Sequence, residues 1–237
     1  MKILCLIPAR SGSQGIKNKN IKKFKNKPLL SWSIKQAQNS RYKMKIVVST
    51  DSEQYSQIAV QYGAESPFLR PSSISGPLSS DLEVVQHCLD WLKNHQNYFP
   101  DIIIQLRPTQ PCRKVSDIDK CLQLFIENYQ KYDSLRTIVI NNKSPYKMYQ
   151  IKNQTLQPLF TEVNDIKEPF NQARQLLPET YLHNGYIDIF KSSIVAQGTI
   201  SGTNIYPYLM KSSETIDIDN QEDWEEAEKL FSETLFL

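Results

Sequence analysis

Short apolar runs alternate with helix-type patterns over the first 140 residues of this 237-residue chain. Strands are predicted at 3–8, 45–49, 101–107 and 136–140, and helices are predicted to start near Pro28, Ser52, Ser80 and Ser116. Because parallel strands need a crossover between them, the alternation predicts an α/β fold with a mostly parallel sheet flanked by helices. Ligands of such sheets bind beyond the carboxyl ends of the strands.

The alternation stops after Ile140. Residues 141–180 are rich in Asn, Gln, Pro and Tyr and follow neither the strand nor the helix period, so an irregular insertion is predicted there. Strand patterns return at 186–190 and 204–210, and the pair Asn220 and Asp223 predicts the start of a last helix. We interpret residues 1–237 as a single domain with an insertion at about 141–180.

Positive charge is concentrated at the amino-terminal end. The first fifty residues contain twelve Lys and Arg and no Asp or Glu, whereas the whole chain has 28 basic and 25 acidic residues. A near-neutral protein with such a separation of charge is expected to bind a polyanion, and a compact one such as a nucleoside triphosphate fits best. Most of the lysines after residue 20 are interpreted as a solvated face.

The loop that follows the first predicted strand has the composition of a phosphate site. It runs from Arg10 to Asn20 and matches neither G-x-G-x-x-G nor the P-loop pattern. Its glycines, Gly12 and Gly15, would let backbone amides approach phosphate oxygens. Arg10 offers a bidentate fork and Lys19 a point charge.

Several other classes of protein are disfavoured. No apolar run reaches the roughly 18–20 residues that cross a membrane, so no membrane association is expected. The four cysteines lack the paired spacing of a metal site. We interpret them as buried free thiols and expect a cytoplasmic protein. A nucleic-acid-binding protein would interleave aromatic residues with its basic ones, but only Phe24 and Trp32 lie between Arg10 and Arg41. Nucleic acid is therefore not an expected partner.

A series of motifs resembles the acylneuraminate cytidylyltransferases, also called CMP-sialic acid synthetases. The opening segment 7–20, IPARSGSQGIKNKN, is similar to the first motif of that family, and the others follow in the family's order. They are Val48-Ser49-Thr50-Asp51, Leu69-Arg70-Pro71, the segment 107–113 (RPTQPCR, similar to Q-P-T-S-P-L-R), Pro145-Tyr146-Lys147-Met148, the segment 173–178 (ARQLLP, similar to P-R-Q-x-L-P), Asn184-Gly185-Tyr186-Ile187 (similar to N-G-A-I-Y) and Thr215-Ile216-Asp217-Ile218-Asp219 (similar to I-D-I-D). The resemblance spans nearly the whole chain.

The resemblance implies a Rossmann-like nucleotidyltransferase fold and a homodimer in which the insertion reaches over the partner's active site. It implies that CTP and a nine-carbon, nonulosonic sugar acid react to a CMP-sugar and pyrophosphate, with Mg²⁺ as the cofactor. The anomeric hydroxyl of the sugar would attack the α-phosphorus.

Each implied role falls on a residue of this chain. Nucleotide binding falls on Arg10, Gly12, Ser13, Gly15, Lys19, Asn20 and Arg70, and catalysis on Arg10, Lys19 and Asp219. Sugar binding falls on Arg107, Lys147, Arg174, Gln175 and Asn184. Asp217 and Asp219 would hold the metal, and their spacing predicts two carboxylates on one face of a strand. The alternative for this pair is two surface acids just before a helix.

Two departures from the family's motifs leave alternatives open. Gln14 stands where the family often has Lys, and Arg107 stands where it has a Gln that contacts the sugar acid, so Arg107 would favour an anionic or differently shaped substrate. A CMP-Kdo synthetase or another sugar or polyol nucleotidyltransferase is the main alternative. A catalytically inactive nucleotide-binding relative is a further one.

Overall fold

The structure, a computed structural model, describes residues 1–13 and 15–236, so Gln14 lies outside the described residues. The strands in chain order are β1 (Ile3–Pro8), β2 (Lys23–Phe24), β3 (Lys27–Pro28), β4 (Lys45–Ser49), β5 (Ile102–Gln105), β6 (Ser134–Ile140), β7 (Tyr149–Lys152), β8 (Thr155–Pro158), β9 (Glu162–Val163), β10 (Ile166–Lys167), β11 (Tyr181–Lys191) and β12 (Ile205–Met210). The α-helices are α1 (Leu29–Asn39), α2 (Glu53–Gln61), α3 (Asp81–Gln96), α4 (Val115–Glu127), α5 (Gln221–Leu230) and α6 (Glu233–Phe236).

A six-stranded sheet with the order β12-β6-β11-β5-β1-β4 forms the centre of the molecule. β1 pairs in parallel with β4 and β5, and β12 pairs in parallel with β6. Only β11 runs the other way, antiparallel to both β5 and β6. The predicted mostly parallel α/β sheet is therefore confirmed.

Alternating side chains of β1 show how the layers are built. Cys5 and Ile7 belong to a core cluster with apolar residues of α1, α2 and α4, whereas Leu4 and Leu6 join a cluster with α3. Because successive strand residues point to opposite faces, these helices cover both sides of the sheet. A third cluster packs Phe24 and Trp32 against Trp224 of α5.

Several predicted boundaries need correction. Pro28 is the residue before α1, and not in its first turn. The strand predicted at 186–190 is longer, from Tyr181 to Lys191, because it continues past a bulge. The segment 215–219 is not a strand, since it pairs with none of the strands in the described chain.

The predicted insertion leaves the sheet between β6 and β11 and is less irregular than expected. It contains two short antiparallel hairpins, β7–β8 and β9–β10. Their turns, Asn153-Gln154 and Asn164-Asp165, have positive φ at both residues, as two-residue hairpin turns require. These turn residues allow pairing that apolar periodicity alone does not reveal. No helix in the described part of the chain is long and apolar enough to cross a bilayer.

Candidate active site

Hydrogen bonds near both of its ends fix the loop after β1. Asp51, just after β4, accepts from the Ser11 backbone nitrogen at 2.7 Å and from Ser11 Oγ at 2.8 Å. At the other end, Asn20 Nδ2 donates to the Arg10 carbonyl oxygen at 3.0 Å. The predicted ligand Asn20 is buried, and its amide therefore also shapes the loop.

The acidic segment 217–219 packs directly on this loop. Lys19 Nζ donates to the Ile218 carbonyl oxygen at 2.5 Å and to Asp219 Oδ1 at 3.1 Å. Gly15 lies so close that a Cβ there would stand 2.0 Å from the Asp219 carbonyl oxygen. The Ile218 backbone nitrogen donates to Thr109 at 2.9 Å, which ties the segment to the loop after β5. Two distant parts of the chain therefore meet, as the site prediction requires.

The two carboxylates of the segment differ in their surroundings. Asp217 and Asp219 are both exposed residues. Protein atoms packed around the Asp217 carboxyl group nevertheless raise its pKa, and the negative charge of Asp219 adds to the rise, although a hydrogen bond from Thr109 and the charge of Lys19 oppose it. The Asp219 side chain is 77% exposed and pairs with Lys19. Two neighbouring carboxylates, one of them already beside a cation, form a donor set that suits a hard divalent cation.

One cavity of about 480 Å³ gathers most of the predicted nucleotide-binding residues. Its lining includes Arg10, Ser13, Gly15, Lys19, Asn20, Arg70 and Asp219. Gly12 is not among the described residues that line it, and a Cβ at Gly12 would meet nothing within 4 Å. The cavity is open at the carboxyl end of β1, where the alternation of elements predicts a ligand.

Arg70 is a buried cation in the wall of this cavity. Its Nη2 donates to the Ser49 carbonyl oxygen at 2.6 Å and its Nε donates to Ser49 Oγ at 3.2 Å. Burial lowers the pKa of Arg70, and the nearby charge of Asp51 partly opposes this. A guanidinium that is only 6% exposed and near Arg10 makes the wall attractive to an anion.

A second cavity, of about 490 Å³, adjoins the first. It is lined by Gln110, His183, Asn184, Ser212, Thr215 and Asp217, and Arg107 lines both cavities. The segment 217–219 therefore contributes Asp219 to one cavity and Asp217 to the other. This arrangement brings two ligand spaces together at one pair of carboxylates.

Several known proteins are similar to this chain over almost its whole length. The cytidylyltransferase family model matches residues 4–236. The chain is 33% identical to post-translational flagellin modification protein B of Campylobacter coli, over 98% of this chain and 96% of that protein. It is 34% identical to CMP-N,N'-diacetyllegionaminic acid synthase of Campylobacter jejuni, over 98% of this chain and 95% of that protein.

The chain belongs to the cytidylyltransferase family. Among solved structures, CMP:2-keto-3-deoxy-manno-octonic acid synthetase in complex with CTP superposes with a TM-score of 0.69 at 16% identity, covering 97% of this chain and 98% of that one. At that identity the likeness concerns the fold alone. The predicted family and the predicted nucleotidyltransferase class are both confirmed.

In this cytidylyltransferase the charge of Arg107 is met by the protein itself. Nη2 donates to Asp81 Oδ2 at 2.6 Å and Nη1 donates to Asp188 Oδ2 at 2.5 Å. Burial would lower the pKa of Arg107, but the charges of Asp188 and Asp81 raise it above its ordinary range. The expectation that Arg107 favours an anionic substrate therefore concerns a guanidinium whose charge two carboxylates already compensate.

The predicted sugar-binding residues fall into two groups. Asn184 lines the second cavity, and its Oδ1 accepts from Thr137 Oγ1 at 2.7 Å. Arg174 and Gln175 line a separate cavity of about 340 Å³ at the base of the insertion. Lys147 Nζ donates to the Gln172 carbonyl oxygen at 2.6 Å, within the insertion. A single chain thus does not bring these three residues to the two adjoining cavities.

Sequence reasoning missed Asp81, Gln110 and Asp188. Asp81 also fits the role of a residue at the start of α3, next to the capping-box pair Ser80 and Glu83. Asp188 had a signal of its own, since it is the one charged residue in the apolar strand run 186–190. A charge in such a run is costly unless it is paired.

Proposed function

We propose that this cytidylyltransferase couples CTP to a nonulosonic acid and releases pyrophosphate. The observation that carries the proposal is the meeting of two cavities at Asp217 and Asp219, with the cationic residues Arg10, Lys19 and Arg70 in only one of them. The cationic cavity suits a triphosphate. The other offers amide, hydroxyl and carboxylate groups, which suit a ligand rich in hydroxyl groups.

In the proposed reaction the anomeric oxygen of the sugar forms a bond to the α-phosphorus and loses its proton. The bond between that phosphorus and the β-phosphate oxygen breaks, and pyrophosphate leaves. Arg10 and Lys19 stabilise the charge that builds on the phosphate oxygens and on the leaving group. The shared wall at Arg107 would keep the two reactants in adjacent positions, which replaces a bimolecular encounter by a positioned one.

Asp217 and Asp219 would hold Mg²⁺. No group of three or more His, Cys, Asp or Glu side chains able to hold a metal occurs in residues 1–13 and 15–236. Mg²⁺ commonly takes one or two carboxylates and completes its coordination with substrate phosphates and water, and the pair fits that habit. When bound, the ion would supply charge neutralisation on the phosphates.

The insertion supports the proposal of a homodimer. It exposes a series of apolar side chains that a second chain would cover: Met148, Tyr149, Ile151, Leu156, Leu159, Phe160 and Leu176. Arg174 and Gln175 would then contribute to the partner's sugar site. We also propose a cytoplasmic setting, which is in keeping with the four free, buried cysteines.

Mass spectrometry of the products tests the function. The protein is incubated with CTP, Mg²⁺ and, in separate reactions, N,N'-diacetyllegionaminic acid, a sialic acid and Kdo. We expect a CMP-sugar and one equivalent of pyrophosphate with at least one nonulosonic acid. Product with Kdo alone would favour the CMP-Kdo synthetase alternative, and CTP binding without product in all reactions would favour an inactive relative.

A further inference from the structure

Asp188 is a fully buried carboxylate in the middle of the sheet. It lies on β11, opposite Gln105 of β5 and Arg136 of β6. Three cationic or potentially cationic side chains bind it: Arg107 at Oδ2, and Arg136 Nη1 and His183 Nε2 at Oδ1, both at 2.7 Å. Burial would raise the pKa of Asp188, but these partners hold it well below its ordinary range. A buried charge with this many partners is fixed in position.

A bulge in β11 brings His183 to Asp188. In a regular strand two residues five positions apart point to opposite faces. Here His183 lies opposite Ile138 and Asp188 lies opposite Arg136, so β11 has three more residues than β6 over the same stretch. An odd number of extra residues returns both side chains to one face. Gly185, at φ +64°, lies inside the bulge.

The partners of Asp188 reach the wall of both proposed substrate cavities. Arg107 lines the two cavities, and its other arm is held by Asp81. The His183 side chain is 43% exposed and lines the second cavity. Since a carboxylate only accepts hydrogen bonds, Nε2 carries a proton, and Nδ1 remains as the other polar atom of the ring. Arg136 anchors the cluster through the Ile200 carbonyl oxygen.

We propose that Asp188 is a positioning residue for the second substrate, which sets Arg107 and His183 as the specificity wall of the second cavity. The inference rests on the proposed function for the nature of that substrate, a sugar acid. Because Asp188 and Asp81 compensate Arg107, the wall offers directed N–H groups with little net positive charge. It therefore selects the arrangement of polar groups on the sugar, and it is not a general receptor for anions.

Asp188→Asn tests the proposal, because it keeps the shape and removes the charge. The NH2 group of Asn then replaces one acceptor oxygen and faces a guanidinium or the His183 N–H. Because two donors cannot bind each other, at least one partner loses its hydrogen bond. We expect the KM for the sugar acid to rise about tenfold, with the KM for CTP changed by less than about twofold. Asp133→Asn is the matched control: Asp133 also accepts several hydrogen bonds, from Thr203 and Asn204, but it lines neither cavity. It should leave both KM values unchanged.

A nuclear magnetic resonance measurement separates this proposal from the proposed function. The chain has three histidines, so the imidazole nitrogen signals of His183 can be assigned by substitution. In the ligand-free protein, Asp188→Asn should shift the His183 signals, while Asp133→Asn should not. If no sugar acid reacts even with the unchanged protein, the proposed function fails, but this shift still reports whether Asp188 holds His183.

Three results would overturn the proposal. In Asp188→Asn these results are an equal increase of the KM values for CTP and for the sugar acid, no change in either KM value, or no shift of the His183 signals. If Asp188→Asn does not fold, the half-exposed His183 provides the test instead. His183→Gln retains a donor for Asp188 and should raise the KM for the sugar acid less than His183→Ala does. Equal effects of these two variants would also contradict the proposal.

Discussion

The carboxyl end of the sheet and the insertion hold their functional residues by different means. At the carboxyl end of the sheet, Lys19 is buried and donates to Ile218 and Asp219. Arg107 forms salt bridges with Asp81 and Asp188. In the insertion, Arg174 is exposed and donates to Asn142 at 3.3 Å. The residues of the first region are thus paired within one chain, whereas the insertion exposes apolar and cationic side chains that a second chain would cover in the proposed dimer. Chemistry is expected to depend on the first region, and completion of the sugar site on the second.

Asp219→Asn should have the largest effect, because it removes a proposed metal ligand from the site at the carboxyl end of the sheet. We expect turnover to fall by about 10²–10³-fold, while CTP binding measured by calorimetry survives. Glu222→Gln, an exposed acid nearby on α5, is the control and should retain turnover. Undiminished pyrophosphate release in Asp219→Asn would move the metal role elsewhere.

Arg10→Ala comes next. Arg10 lines the nucleotide cavity, and its guanidinium is expected to bind charge that develops in the transition state. Turnover should therefore fall about 10²-fold, and this loss should be larger than the loss of CTP affinity. The control is Lys23→Ala, an exposed lysine of the same basic segment. If Lys23→Ala were equally damaging, general positive charge would matter and the placed fork would not.

Gly15→Ala tests whether the loop must touch the acidic segment. A Cβ there collides with the Asp219 carbonyl oxygen, which is backbone and must shift. We expect a loss of stability of about 1–3 kcal/mol in urea unfolding, together with reduced turnover. Gly12→Ala, where the Cβ meets nothing within 4 Å, should be nearly neutral for stability. Similar stability in the two variants would contradict the close packing at Gly15.

The double substitution Ile151→Asp and Leu156→Asp tests the insertion and should affect the folded chain least. These residues are opposite each other on β7 and β8 and are 80% and 62% exposed. We expect a monomer in analytical ultracentrifugation, a lower rate with the sugar acid, and a free energy of unfolding of the chain changed by about 0.5 kcal/mol or less at each site. Val60→Asp, on the exposed side of α2, is the control. A dimer that survives the double substitution would show that another surface joins the chains.

Local patterns account for most of the predicted fold. Apolar periodicity and caps predicted the order of the main strands and helices, and the helix predicted to start near Ser80 does so with a capping box of Ser80 and Glu83. They failed where tertiary pairing decides. The segment at Asp217 and Asp219 alternates like a strand but pairs with no strand among the described residues, and the hairpins of the insertion depend on turn residues at positive φ that apolar periodicity does not reveal.

The same reason decides which parts of the candidate site could be predicted from the sequence. The Arg10 to Asn20 loop and the I-D-I-D segment could be found because the residues that carry each motif are close in sequence. The carboxylates Asp81 and Asp188 could not be assigned to Arg107, since the three residues come from α3, β11 and the loop after β5. No sequence spacing encodes such a contact.

By itself the sequence determined the alternating α/β plan, the basic phosphate loop and the family motifs, because each depends on neighbours within a few residues. Only the tertiary structure decided that Arg107 is neutralised by two carboxylates, that a bulge turns His183 toward Asp188, and that Gly15 rests on Asp219. The physical reason is that burial and pairing of charge depend on which distant strands become neighbours, and this is fixed only when the whole sheet has formed.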